Sequence, residues 1–493
     1  MSIATHLPAL QVVLPLLAAP LTVLLRRPGL AFLVAVAASW CALAIALALA
    51  LQVHGSGVIS YPIGNWPPPI GIEYRVDALS SAMLVLVAGI ASVVLPFARG
   101  SIEREVPAAQ HYLFYTMFLL CMTGLLGISI TGDAFNIFVF LEISSLSTYV
   151  LIALGRDKRA LVAAYQYLIM GTIGATFILI GIGLLYAMTG TLNIGDLAAR
   201  IPAVAHTRTV HAAFAFLAIG VSLKLALFPL HLWLPNAYAY APSAVTAFLA
   251  ATATKVAVYV LLRFFFTVFG APFSFGTMRL DIVLLPLALA GIFSASVAAI
   301  FQTDVKRMLA YSSVAQVGYM ILGISLVSVT GLTAGISHLF NHALMKGALF
   351  MALGCVSFRV GAAKLERMAG VGRTMPWTMG AFVIGGLSLI GVPLTAGFVS
   401  KWYLVVGALE KGWWPVAVLV LISSLLAVIY IWRVVEVAYF EPAPEGEAAG
   451  EAPLALLVPT WTLALANLYF GLDTSLNAGV ARRAAEMLLG VAP

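Results

Sequence analysis

Long apolar runs recur along the whole chain and are separated by short polar connections. Each run is about 20 residues or more, the length that crosses a hydrocarbon core of about 30 Å as an α-helix. Strands of a membrane β-barrel would instead alternate in hydrophobicity over about 10 residues. The pattern predicts an all-α polytopic membrane protein with about 14 spans, at residues 7–25, 30–51, 76–98, 111–131, 134–154, 161–188, 211–240, 243–269, 282–303, 306–327, 331–358, 376–409, 413–440 and 453–472.

The composition excludes a soluble globular domain. Hydrophobic residues make up 62% of the 493 residues and charged residues only 9%, whereas soluble domains carry about 25% charged residues. The three cysteines, Cys41, Cys121 and Cys355, lie in apolar runs and are expected to be buried thiols, so a disulfide scaffold is excluded too. We therefore predict one integral domain in the lipid bilayer over residues 1–493, with no nucleic-acid partner.

Two of the predicted spans are interrupted by helix breakers. The span at 211–240 contains Pro229 and Pro235, and the span at 376–409 contains Pro393. A proline inside a helix kinks it and frees a carbonyl, and at membrane depth such backbone is tolerated only inside protein or beside a water-filled cavity. A packing kink is the simpler alternative to a functional break.

The positions of the two breaks suggest an internal repeat. Each break falls in the fourth of five consecutive spans, as in transporters built from inverted repeats. We expect a first five-helix repeat at residues 111–269 and a second at residues 282–440. Because five is an odd number of spans, the second repeat must be inverted relative to the first.

Five charged side chains lie inside apolar runs, namely Glu142, Lys224, Lys255, Lys346 and Lys401. A charge at the bilayer centre costs about 2.5–3.5 kcal/mol, so such groups persist only where they face one another or a hydrated interior. The alternative is that the charges form ion pairs that hold helices together. One such pair needs only two charges, whereas five are present here. The distribution over five spans favours an ion path.

Two histidines share a helix face with one of these lysines. His338, His342 and Lys346 recur every four residues and therefore form one stripe on a helix. Imidazole titrates near neutral pH, so the stripe indicates a proton relay. A metal site is disfavoured, because no Cys, Asp or Glu is spaced to complete it. A polar cluster in the preceding span either lines a water path or binds neighbouring helices, and consists of Tyr311, Ser312, Ser313 and Gln316.

The sequence contains no motif for a cofactor of its own. We find no nucleotide-binding glycine loop, haem-attachment motif or cysteine cluster for iron–sulfur. The chain is therefore expected to lack a redox centre and an ATPase. It would be a secondary transporter subunit, or part of a translocase if it belongs to a redox-driven assembly.

The basic residues are distributed unevenly between the connections. Each connection takes the number of the span before it. The odd-numbered connections carry 14 Lys and Arg residues, and the even-numbered connections with their span ends carry 6, among them Arg263. By the positive-inside rule the odd-numbered connections should be cytoplasmic. In a bacterial inner membrane both termini would then lie outside.

Five stretches between residues 75 and 440 resemble the antiporter-like, proton-translocating subunits shared by respiratory complex I and Mrp-type cation/proton antiporters. They are FNIFVFLEISSLSTYVLI, SLKLALFPLHLWLPNAYAYAPSAVTAFLAATATKVAVYVLLR, QTDVKRMLAYSSVAQVGYM, HLFNHALMKGALF and GVPLTAGFVSKW. Within that family, the length of the chain and a lysine at position 401 favour the D-type Mrp subunits. The resemblance implies proton movement coupled to export of Na⁺ or K⁺, in a hetero-oligomeric membrane complex.

The resemblance also implies a role for each matching residue. Glu142 would pair with Lys224 of the broken span, and Lys255 would lead to the centre. His338 and His342 would supply the central polar group, and Lys401 the terminal one. The alternative function is a proton-pumping subunit of a complex I-like NADH-quinone oxidoreductase or a membrane-bound hydrogenase, which would use the same residues.

Overall fold

The computed structural model describes residues 3–443 and 450–491 of the chain. Within these ranges the chain forms 19 α-helices and one two-stranded sheet. The helices are α1 Leu7–Leu25, α2 Pro28–Ser56, α3 Ala78–Glu105, α4 His111–Ile130, α5 Ala134–Ala153, α6 Arg159–Thr189, α7 Ile194–Val204, α8 Arg208–Leu225, α9 Trp233–Tyr240, α10 Ser243–Leu262, α11 Leu280–Ile300, α12 Val305–Ser325, α13 Val329–Val360, α14 Val371–Thr374, α15 Pro376–Ile390, α16 Ala396–Glu410, α17 Trp414–Phe440, α18 Leu454–Leu472 and α19 Ser475–Leu489. The strands are β1 Ile59–Pro62 and β2 Glu73–Val76.

Thirteen predicted spans appear as helices long and apolar enough to cross a membrane. The described residues contain 13 such helices, and α15 adds a shorter apolar helix. The remaining predicted span, the twelfth in chain order at 376–409, consists of α15 and α16 in succession. The prediction of an all-α, many-span membrane protein is confirmed, while the repeat boundaries at 111–269 and 282–440 stay a prediction.

Both interrupted spans are broken in the structure. The segment between α8 and α9 leaves the helix at Ala226, which adopts a left-handed conformation with φ 59°, and contains Pro229. The segment between α15 and α16 contains Gly391 and Pro393. The prediction that Pro235 breaks the helix is wrong: it lies in the first turn of α9, where an N–H has no partner within the helix.

One end of the helical bundle carries the small sheet, and we call it the hairpin face. Strands β1 and β2 are antiparallel, with Ile59 opposite Val76. Isolated bridges join Tyr74 to Thr131 and Asp133 to Asn193, so the connections before α5 and α7 lie beside the sheet. The sheet, α7 and α19 were not predicted from the sequence.

The other end of the bundle carries the odd-numbered connections, and we call it the basic face. The N–H of Arg156 donates to the carbonyl of Glu105 over 3.1 Å, which joins two of these connections. An isolated bridge between Asp304 and Lys364 joins two more. These contacts place the connections before α3, α5 and α7 at the hairpin face, and pair the connection after α3 with that after α5 and the connection after α11 with that after α13.

The interior of the bundle is organised around α13, a helix of 32 residues. It packs against α10, α12, α15, α16, α18 and α19. Helices α1 and α2 lie at the periphery instead. For this reason the expectation for Cys41 on α2 is wrong: its thiol is exposed on the outer side of the bundle, whereas Cys121 and Cys355 are buried.

Candidate functional site: a row of buried titratable groups

We call the residues Glu142, Lys224, Lys255, His338, His342, Lys346 and Lys401 the row. Its first ion pair joins α5 to α8. Lys224 lies in the last turn of α8, immediately before the break, and its Nζ is 3.6 Å from Oε1 of Glu142. The same Nζ donates to Oγ of Ser145 over 2.8 Å. The lysine side chain is 6% exposed and that of Glu142 is 28% exposed. The carboxylate therefore lies at the border of the bundle and the ammonium inside it.

A small cavity separates Lys224 from α10. Its volume is about 30 Å³, which holds about two water molecules. Hydroxyl groups of Ser144, Ser145 and Thr148 line one side, and apolar side chains of α10 line the other. The cavity leaves room for water between Lys224 and the helix that carries Lys255.

Lys255 lies in the middle of α10 and is fully buried. Its Nζ donates to the carbonyl of Ala250 and contacts Oγ1 of Thr254 at 3.3 Å. Among the described residues no carboxylate forms an ion pair with it. Lys255 is therefore held by dipoles rather than by a fixed negative charge.

The predicted stripe on α13 faces the interior. His338 makes two hydrogen bonds, one between Nε2 and Oε1 of Gln316 at 2.9 Å and one between Nδ1 and Oγ of Ser400 at 2.8 Å. The ring of His342 stacks on that of His338 at 6.0 Å. Both ring nitrogens of His342 are buried without a hydrogen-bond partner in the described part of the chain. Such atoms mark a place where water or a transferred proton is stabilising.

Lys346 continues this stripe one turn further along α13. It is fully buried, and its Nζ donates to the carbonyl of Leu309 and to Oγ of Ser312 on α12. The polar cluster of α12, which the sequence left open between two interpretations, thus contacts the row twice, through Ser312 and through Gln316.

Lys401 occupies the second break. Its Nζ donates to the carbonyls of Leu389 and Ile390, at 3.2 and 2.8 Å, and to Oγ of Ser424 at 3.0 Å. These carbonyls form the C-terminal end of α15, where the helix dipole is negative and stabilises a cation. The break therefore provides a site for the ammonium that an unbroken helix would lack.

Residues 131–427 match the family model described as "NADH:quinone oxidoreductase/Mrp antiporter, TM". The chain belongs to this family. It is 44% identical to NADH-quinone oxidoreductase subunit N of Desulforudis audaxviator, over 95% of this chain and 96% of the relative. It is 30% identical to the D-type subunit of the Na⁺/H⁺ antiporter of Alkalihalophilus pseudofirmus, over 87% and 86%.

A solved member of the family has the same fold. The structure of the Mrp complex from Dietzia sp. DQ12-45-1b contains a chain that superposes with a TM-score of 0.90 at 28% identity. The superposition covers 99% of this chain and 98% of the other. The family resemblance expected from the sequence is confirmed.

In the present chain, each buried lysine of the row contacts a hydroxyl group. The pairs are Lys224 with Ser145, Lys255 with Thr254, Lys346 with Ser312 and Lys401 with Ser424. A hydroxyl accepts a hydrogen bond from an ammonium and donates one to a neutral amine, so it accommodates both protonation states. A carboxylate would favour the charged state, and among the described residues only Lys224 has one.

Ser312 belongs to the polar cluster noted in the sequence, whereas Ser145, Thr254 and Ser424 were not predicted as partners of the lysines. Thr254 is adjacent to Lys255 in the sequence, and Ser145 follows Glu142 by three residues. The sequence therefore showed that these hydroxyl groups are close to the charged residues. Ser424 lies on another helix, and its contact depends on how the helices pack. Among the described residues no group of three His, Cys, Asp or Glu side chains is arranged to hold a metal ion.

Proposed function

We propose that the chain is the proton-translocating membrane subunit of a multisubunit monovalent cation/proton antiporter. Protons would move along a row of buried groups, in the order Glu142, Lys224, Lys255, His338 and His342 with Lys346, and Lys401. The observation that carries the proposal is the burial of four lysines in apolar helices beside hydroxyl and carbonyl groups. A purely structural cation would be expected to have a carboxylate partner, since an unpaired buried charge is costly, and among the described residues Lys255, Lys346 and Lys401 have none.

The first step follows from the position of Glu142. An ionised Glu142 at 3.6 Å stabilises the ammonium of Lys224. When this contact weakens, burial penalises the ammonium, and transfer of its proton into the hydrated cavity becomes favourable. The proton then reaches Lys255 and the stripe on α13, and Lys401 is the terminal group.

The assembly is part of the proposal. We infer that the chain works in a hetero-oligomeric complex in a bacterial inner membrane, with Na⁺ or K⁺ as the exchanged cation. The basic face would be cytoplasmic and both termini outside. The two predicted repeats, 111–269 and 282–440, would each contribute one broken helix.

The second candidate function is a proton-pumping subunit of a complex I-like NADH-quinone oxidoreductase or a membrane-bound hydrogenase. The 44% identity to a protein named NADH-quinone oxidoreductase subunit N favours it. Purification of the native complex distinguishes the two functions. Small membrane subunits alone indicate an antiporter, whereas iron–sulfur and flavin subunits indicate a redox-driven translocase.

Substitution of Lys255 tests the row itself. Arginine keeps the charge but resists deprotonation, because its pKa exceeds about 12. We expect Lys255→Arg to inhibit proton transport in inverted membrane vesicles nearly as strongly as Lys255→Ala. The exposed Lys158 provides a matched control, and Lys158→Arg should transport normally.

Blue native gels should show normal abundance of the complex for all three variants. Transport by Lys255→Arg above about half of the parental rate would make Lys255 a structural cation and remove it from the row.

A further inference from the structure

The cavity beside Lys224 has a fourth hydroxyl-bearing lining residue that is not part of the row, Tyr167 on α6. The residue is only 6% exposed, so the surrounding helices enclose it. Within the part of the chain that the structure describes, no residue hydrogen-bonds to its phenolic hydroxyl. The cavity is therefore the space in which this hydroxyl can find a partner.

The other three hydroxyl groups at the cavity are already engaged. Ser144 and Thr148 donate to carbonyls of their own helix, at 2.9 and 2.7 Å. Ser145 accepts a hydrogen bond from Nζ of Lys224. Among the lining hydroxyl groups of the described residues, that of Tyr167 alone has neither its donor nor its acceptor role occupied. A group needs both roles to pass on a proton without becoming charged.

Trp233 fixes the position of the Tyr167 ring. The two rings are stacked, with centroids 4.0 Å apart and an interplanar angle of 5°. Trp233 lies at the start of α9, after the first break, and its Nε1–H donates to the carbonyl of Leu223 over 3.0 Å. Leu223 precedes Lys224 in the last turn of α8. One indole thus holds both the phenol and the end of the helix that carries the ammonium.

Packing between helices is the simpler explanation for a buried tyrosine, and α6 does approach α8 closely. A Cβ on Gly220 would lie 2.7 Å from the carbonyl oxygen of Gly174, so the two helices leave no room for a side chain there. Packing needs only the ring, however, and a buried hydroxyl without a partner costs free energy. Phenylalanine would pack equally well at position 167, so the hydroxyl beside Lys224 requires another explanation.

We propose that the hydroxyl of Tyr167 relays the proton that Lys224 releases, through water in the cavity, towards α10. Nζ gives a proton to one water molecule, and that water gives a proton to the phenolic oxygen. The phenol passes its own proton to a second water on the α10 side, from which Lys255 receives it. Tyr167 stays neutral throughout, and Lys224 is left as a neutral amine.

The dimensions of the cavity fit this step, because a volume of about 30 Å³ holds the two water molecules that it needs. Trp233 is a positioning residue, since it touches the ring of Tyr167 and the end of α8 but not the proton. This inference rests on the proposed function, because the relay has meaning only if Lys224 releases a proton.

The substitution Tyr167→Phe removes the hydroxyl and keeps the ring against Trp233. We expect the full complex with this variant to transport protons at least about tenfold more slowly than the parent in inverted membrane vesicles, since a positioned proton-transfer group contributes about 10²–10⁴-fold to a rate and water alone replaces part of it. Tyr165→Phe is the matched control, because Tyr165 lies on the same helix but is 63% exposed, and it should transport normally. A slowing of Tyr167→Phe by less than about tenfold would overturn the relay.

The solvent isotope effect separates a relay from a structural role. Without the hydroxyl, proton transfer across the cavity should limit the rate, so transport by Tyr167→Phe should slow more in D₂O than transport by the parent does. Loss of packing alone would not make proton transfer limiting. A slow Tyr167→Phe variant with the parental isotope effect would therefore contradict the relay.

A second variant keeps the test decisive if blue native gels show poor assembly of Tyr167→Phe. Tyr167→His retains an aromatic ring that accepts and donates protons. We expect it to transport faster than Tyr167→Phe and at no less than about a tenth of the parental rate. An assembled Tyr167→His complex below that rate would rule out the relay.

The substitution Lys224→Ala separates the relay from the proposed function. Normal transport by Lys224→Ala would refute the proposed function, whatever the behaviour of the Tyr167 variants. Loss of transport in Lys224→Ala together with parental transport in Tyr167→Phe would leave the row intact and refute the relay alone.

Discussion

Replacement of Glu142 by alanine should abolish proton transport while the complex still assembles. The carboxylate lies 3.6 Å from Nζ of Lys224 and is the only one within ion-pair distance of that lysine in the described residues. With an effective dielectric constant of about 20, the attraction amounts to about 4–5 kcal/mol. Partial exposure of Glu142 makes this an upper value. Without it, the hydroxyl of Ser145 is the one remaining partner of the Lys224 ammonium in the part of the chain that the structure describes.

The same geometry predicts a graded series. Aspartate at position 142 withdraws the carboxylate by one methylene, about 1.5 Å, to about 5 Å from Nζ. The attraction falls by about 1.3 kcal/mol, so Glu142→Asp should transport about tenfold more slowly than the parent. Glu142→Gln preserves the shape but not the charge, and should be as inactive as Glu142→Ala.

The assay is proton uptake into inverted membrane vesicles, with the amount of complex measured on blue native gels. Glu366→Gln is the matched control, because Glu366 is exposed on a connection at the basic face. Near-normal uptake by Glu142→Ala, or equal rates for the aspartate and glutamine variants, would refute the electrostatic role of Glu142.

Two further predictions concern the second break and the orientation of the chain. Gly391 has φ 90°, and a Cβ there would lie 2.9 Å from Cδ of Lys401, so Gly391→Ala should displace the ammonium and abolish transport. Gly190→Ala is the control in the transport assay, because a residue other than glycine there has a similar backbone strain of about 1–3 kcal/mol. No neighbouring atom of the described residues lies within 4 Å of the added Cβ, so transport should persist. Labelling with an impermeant thiol reagent should place Glu441→Cys on the cytoplasmic side and Ser475→Cys outside. Labelling of both from one side would contradict the single membrane crossing by α18 that separates them.

The residues of the row could be predicted because an apolar background makes charge conspicuous. A lysine such as Lys255, within 17 otherwise uncharged residues, has few physical explanations in a membrane helix. The common helix face of His338 and His342 could also be predicted, because residues four apart lie on the same side of a helix. What the sequence could not supply was the set of partners from other helices.

The buried ion pair between Arg263 and Asp77 shows why contacts between distant parts of the chain could not be predicted from the sequence. An arginine near the end of an apolar run is compatible with a surface connection, a snorkelling side chain or a buried pair. Its partner Asp77 lies 186 residues earlier, so only the packing of α3 against α10 decides between these possibilities. Pro235 was misjudged for a related reason: the effect of a proline depends on where the new helix begins.

The elements of the hairpin face escaped prediction because their patterns are weak. Strands β1 and β2 have four residues each, too few for alternation to be distinguished from a turn. Helix α19 buries small residues such as Ala478 and Ala481 and exposes charged ones, so its composition resembles a polar tail. Its assignment depends on its packing against α13.

The stacked histidines on α13 have a consequence for how many protons the centre of the row holds. Their rings are 6.0 Å apart and nearly parallel, with an interplanar angle of 8°. Two positive charges at that separation repel by about 2.8 kcal/mol at an effective dielectric constant of about 20, which disfavours double occupancy by about a hundredfold. If protons move along the row as proposed, His338 and His342 would hold one proton between them most of the time, and a second would be favoured only after the first had left.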